Sequence, residues 1–138
     1  MERKKKSRKE LVLEQIEERG LVSYMNTTKW KELQNAIDDL PFPPPYVLKD
    51  VCKDEANVPK FDEDVSYWGL WSDEGLCWGH YFAIEWIKVR PRYTRHRGQL
   101  VEPEIIEITD EFVEILKKYN IPYEEENGVY TIYGYRGA

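Results

Sequence analysis

The chain has 138 residues, 41% apolar and 14% aromatic, with 20 Lys and Arg against 26 Asp and Glu, a net charge of −6 and two Cys. That length supports one domain able to bury roughly two thirds of its unfolded surface, and two Cys are too few for a disulfide framework. No apolar run approaches the roughly 20 residues of a membrane span, and the basic start Met1–Lys9 has no apolar segment behind it to make a secretory signal, so a reducing cytoplasm is expected.

Charge is unevenly spread. Asp50–Asp64 carries six acids against two lysines, Glu102–Asn127 nine acids against two lysines, and Lys88–Arg97 five basic residues and no acid. Most of the surface therefore favours cationic partners, with one local basic patch, and free nucleic acid is not the expected main ligand.

Residues 7–19, S-R-K-E-L-V-L-E-Q-I-E-E-R, predict an amphipathic helix with an apolar stripe of Val12, Leu13 and Ile16 and with Gly20 placed to end it. Met25 offers a second translation start, because the next helix has its own caps in Asn26, Thr27 and Thr28. Residues 1–24 are thus expected to form an optional basic helical extension, and 25–138 a single α+β domain.

The spacing of Trp30, Leu33, Ala36, Ile37 and Leu40 predicts a helix over 28–40 that stops at Pro41. P-F-P-P-P at 41–45 reads as a stiff corner into a strand at Tyr46–Val51 rather than as a ligand for a proline-reading domain. After an acidic loop over 53–64, the β-branched and aromatic content of Val65–Trp71 and Tyr81–Arg90 predicts strands, with S-D-E-G at 72–75 as the turn between them. Neither alternates cleanly. In the second, Glu85 shares a face with Ala83, Ile87 and Val89, which suggests a bulge, a strand end leaving the core, or a surface read by a partner.

Glu104–Ile108 reads as a short strand, followed by a helix from Thr109 with acids in its first turn, Lys117 and Lys118 in its last, and a buried face of Phe112, Ile115, Leu116 and Tyr119. Ile121–Glu125 and Val129–Tyr135 flank Asn127-Gly128, the pair suited to a type I′ turn, and predict a terminal β-hairpin. The fold class is α+β, with a mainly antiparallel sheet and helices on one face.

The stretch Tyr67–His96 holds four of the five Trp, both His and one Cys. Such a density of amphipathic rings marks a core or a recognition surface, not a reaction. Cys52, Cys77, His80 and His96 have spacings that match no zinc motif, so no metal site is assigned, and no cofactor motif is present. Glu85, between Ile84 and Trp86, is the carboxylate best placed for a shifted pKa, but an ion pair with Lys88 or with an arginine across the sheet explains it more simply than catalysis. No catalytic residue is assigned. R-P-R-Y-T-R-H-R at 90–97 interleaves cations with a ring, and Arg90, Arg92, Arg95 and Arg97 form the candidate basic patch.

The helix T-K-W-K-E-L with its Pro-rich turn, together with W-G-H-Y-F-A-I-E-W-I-K-V, resembles a family of small uncharacterised bacterial proteins classed as a domain of unknown function, over Thr28 to about Pro91. The resemblance implies no catalytic residues. In style the chain is also similar to immunity proteins of bacterial toxin systems, which bind a toxin and block it.

The reading that follows is a non-enzymatic protein-binding domain, of immunity or antitoxin type, for a basic partner. Its expected contacts are Asp62, Glu63, Asp64, Trp68, Trp71, Asp73, Glu74 and Trp78. Two alternatives stand beside it. One is a small-molecule or nucleotide site with weak catalysis built on Glu85, His80 and Arg90 or Arg92, and the other is nucleic-acid binding through Arg90–Arg97.

Overall fold

The computed structural model describes residues 7–53, 81–95 and 97–137. In chain order these form α1 (Arg8–Arg19), β1 (Leu21–Ser23), α2 (Thr27–Ile37), β2 (Tyr46–Asp50), a 3-10 turn at Tyr81–Ala83, β3 (Ile84–Val89), β4 (Arg92–Arg95), β5 (Glu104–Glu107), α3 (Thr109–Lys118), β6 (Glu124–Glu126), β7 (Val129–Tyr133) and β8 (Tyr135–Gly137). The strand expected at Val65–Trp71 and the turn at 72–75 lie outside the described residues.

Local chemistry explains most of the boundaries. Ser7 caps α1 by accepting the Glu10 N–H, and Gly20 ends it at φ 62°. Asn26 caps α2 in the same way through the Lys29 N–H. At the far end of the chain Asn127 and Gly128, at φ 52° and 80°, join β6 to β7 with Glu126 opposite Val129, which is the tight hairpin expected of that pair.

Every strand pairing among the described residues is antiparallel. β2, β3, β7 and β6 lie side by side in that order in one sheet, while β1 pairs with β8 and β4 with β5 as two-stranded ribbons. One face of the main sheet presents Leu48, Ile87, Val89, Tyr130 and Ile132, and α2 covers it with Trp30, Leu33 and Ile37 while α3 adds Phe112 and Leu116. Burying a large apolar side chain of this kind stabilises by roughly 1.5–3 kcal/mol each, so this layer is the main core.

A β-bulge breaks the period of β3. Lys49 lies opposite Trp86 and Asp50 opposite Ile84, which leaves Glu85 as the extra residue. Ile84 thereby joins Ile87 and Val89 in the core. Trp86 instead falls on the outer face, half-buried, with the Lys88 ammonium 5.0 Å from its ring centroid.

α1 packs through a smaller cluster of Val12, Val51 and Ala83, with Ile16, Leu21, Phe82 and Tyr135 around it. The stripe differs from the one read in the sequence. Positions 8, 12, 16 and 19 share a face of a 3.6-residue helix, so Val12 and Ile16 turn inward while Leu13 stays 54% exposed. The segment 1–24 therefore contributes α1 and β1, and both are joined to the body, α1 by this cluster and β1 by its ladder to β8. The Pro-rich run is a buried corner, in which Pro44 and Pro45 are enclosed and the Pro45 carbonyl accepts the Arg90 N–H at 3.1 Å.

Candidate functional site

Asp62, Glu63, Asp64, Trp68, Trp71, Asp73, Glu74 and Trp78 all lie outside the described residues, as do Cys77, His80 and His96. Cys52 is exposed, and the slight desolvation its thiol does meet, followed by the charge of Asp50, raises its pKa, which leaves it a weak nucleophile. Among the described residues no group of three or more His, Cys, Asp and Glu could hold a metal ion.

The arginines of the basic patch are dispersed by the fold. Arg90 is buried, and Arg95 pairs with Glu104 at 2.6 Å across the β4–β5 ribbon. Arg97 donates to the Glu102 carbonyl, and Arg92 stands opposite Glu107 with its guanidinium carbon 3.9 Å from where a Cβ on Gly128 would lie. Tyr93, the ring that would stack a base, packs edge-on against Phe42 at 4.7 Å.

Glu85 is a fastening point. Its Oε1 accepts from Lys49 Nζ at 2.8 Å and from Arg19 Nη1 at 2.7 Å. Burial alone would raise its pKa, but the hydrogen bonds from Arg19 and Lys49 and their charges outweigh burial and lower it, so the carboxylate stays ionised. Lys49 approaches across the sheet, whereas Arg19 comes from α1 and Lys88 is turned to Trp86. At the other end of α1, Arg8 pairs with the buried Asp50, which also accepts the Cys52 N–H at 2.8 Å. Two arginines three turns apart thus clamp α1 to the sheet at both ends.

The acids left unused by the fold meet elsewhere. A groove of about 300 Å³ runs between the end of α2 and the outer face of α3, with Ala36, Leu40, Pro41, Ile115 and Tyr119 as its apolar floor and Asp39, Glu111 and Glu114 on its rim. Asp38, the C-cap residue of α2, is exposed beside Asp39. Among the described residues none of these four acids forms an ion pair. Lys118, which also lines the groove, holds its ammonium 5.4 Å from the centroid of its own neighbour Tyr119.

Glu111 has a local reason to be acidic, because it sits in the first turn of α3 where the helix dipole favours negative charge. Asp38 and Asp39 have the opposite situation. They follow the last turn of α2, which carries no basic residue, and there the dipole opposes them. This pair lies outside the aromatic-rich stretch of the chain. The signal was D-D-L-P, two acids at the point where a helix end calls for Lys or Arg.

A family model matches residues 12–138, starting at the buried Val12 of α1 and covering both helices of the groove. The chain belongs to the family of unknown function DUF6678. The resemblance seen between Thr28 and Pro91 was to a family of that kind, and the DUF6678 match carries it through α3 and the terminal hairpin. No curated protein and no solved structure matches this DUF6678 chain. None of its described helices is long and apolar enough to cross a membrane.

Proposed function

We propose that this protein is a non-enzymatic binding domain for a basic protein, in a cytoplasmic role of immunity or antitoxin type, and that the α2–α3 groove receives a basic amphipathic segment of that partner. The observation that carries the reading is the placement of Asp38 and Asp39 at the negative end of α2, beside Glu111 and Glu114, where none of the four forms an ion pair among the described residues and Lys118, which also lines the groove, holds its ammonium near Tyr119. Charge held against the local dipole costs the free protein stability, and a cationic partner turns that cost into steering and affinity. The apolar floor suits a helix or strand that alternates Lys or Arg with aliphatic residues, the helix-in-groove mode of recognition. The acidic and Trp-rich positions between 62 and 78 are proposed as further contacts on sequence grounds.

The test is a paired capture from the native host, using as baits the wild-type chain and a variant carrying Asp38→Asn, Asp39→Asn and Glu114→Gln. The reading expects a strongly basic protein on the wild-type bait and its loss from the variant. Equal recovery on both baits, or no partner on either, contradicts it.

A further inference from the structure

Beside the terminal hairpin, and sharing no residue with the α2–α3 groove, Tyr24, Pro122, Tyr123, Glu124, Tyr133 and Arg136 line a half-open cavity of about 140 Å³. The fold sets its walls firmly. Glu124 and Tyr133 stand on adjacent strands β6 and β7, and Tyr24 is fixed by its N–H to the Gly134 carbonyl at 2.9 Å. In this cavity the guanidinium carbon of Arg136 lies 4.7 Å from the Tyr133 ring centroid, and its Nη1 pairs with Glu124 Oε1. The Tyr133 hydroxyl donates to the other carboxylate oxygen at 3.4 Å, which orients Glu124 toward the cation.

We propose that this pocket is a receptor for an alkyl guanidinium, the side chain of an arginine from another molecule, and that Arg136 is its exchangeable internal occupant. An aromatic plate, an oriented carboxylate and neighbouring tyrosines are the parts with which proteins hold organic cations. The structure has already filled them with a guanidinium of its own. That occupant is loosely kept. Arg136 sits in a three-residue strand whose ladder runs to β1, its side chain is about half exposed, and so is that of Glu124. Exposed ion pairs of this kind contribute little, so an incoming arginine can replace this one at small cost. An anion is disfavoured, because Glu124 already neutralises Arg136. A lysine ammonium would lack the planar stack on Tyr133 and the fork that matches a carboxylate. The inference is independent of the groove reading.

The experiment uses the full chain and follows the ring signals of Tyr24, Tyr123 and Tyr133 by NMR during titration with N-acetyl-L-arginine amide, with N-acetyl-L-lysine amide as the comparison. Arg136→Gln, which keeps a polar side chain in β8, should bind the arginine amide about two- to fivefold more tightly than wild type, the range an exposed ion pair contributes, and at least tenfold more tightly than it binds the lysine amide. Adding Glu124→Gln to that variant should weaken arginine binding at least tenfold. Failure of Arg136→Gln and of a second variant, Arg136→Ala, to bind saturably would overturn the proposal. So would equal binding of the lysine amide, or binding that survives the loss of Glu124.

Discussion

Glu85 and Asp39 are both carboxylates set at the edge of a regular element, and the fold treats them in opposite ways. Glu85 sits on a bulge and receives two cations from two other elements, so that its charge joins α1 to the sheet. Asp39 stands at the rim of a groove, past the negative end of α2, with no ion pair among the described residues. A charge that the structure pairs is explained by the structure. A charge that the structure leaves opposed by its own dipole calls for an explanation outside it, and a basic partner supplies one.

The seam around Glu85 is the part of the molecule least able to change. Gly134 links β7 to β8 there, donating its N–H to the Glu85 carbonyl at 2.8 Å, and a Cβ at this position would fall 2.1 Å from the Ile84 carbonyl oxygen and 3.2 Å from the Trp30 ring. No side chain fits without moving backbone. Gly134→Ala should cost about 3 kcal/mol or more, at the upper end of overpacking effects, and a thermal melt reads it directly. A wild-type melting temperature in this variant would mean that the seam is not as tightly closed as the geometry requires.

Glu85→Gln is the next largest effect. It strands Lys49 and Arg19 beside a neutral amide, at a cost of about 2 kcal/mol, below the 3–5 kcal/mol of a fully buried pair because Arg19 keeps 37% of its side-chain exposure. Its pH dependence has a definite sign. The carboxyl of Glu85 titrates lower in the folded chain than in the unfolded one, so its contribution is complete above the ordinary glutamate range near 4.3 and fades as pH falls through the lowered value. The melting temperatures of wild type and variant should therefore be furthest apart above about pH 5 and converge as pH falls through the lowered value. A gap that widens toward acid would show that Glu85 is held protonated, and the contrast with Asp39 would dissolve.

How much of this was visible in the sequence depends on the range of the interaction. The caps of α1 and α2, the stripe of Trp30, Leu33 and Ile37 and the Asn127-Gly128 turn are local, and each was legible from a few neighbouring residues. The ladder between β1 and β8 joins residues 21–23 to 135–137, and no pattern within three residues announces it. The bulge at Glu85 was one of several readings of a broken alternation, and it is the bulge that sends Ile84 to the core and Trp86 to the outer face. Arg8 and Arg19 have no local sign of a partner, because Asp50 and Glu85 reach them only where α1 packs on the sheet. The candidate groove has a simpler history, since its acids were in plain view at 38, 39, 111 and 114 but belong to two helices whose proximity the sequence does not encode locally.

The smallest expected effect bears most directly on the central claim, that the acids at the end of α2 are not kept for the fold. It is read from a thermal melt of the Asp38→Asn, Asp39→Asn double variant at low ionic strength. Each substitution removes a charge that the dipole opposes, worth about 0.3–1 kcal/mol, so the melting temperature should rise by roughly 2–8 °C. A melting temperature below that of the wild type would show that the two carboxylates support the free protein, and the case for a basic partner in the groove would lose its main observation.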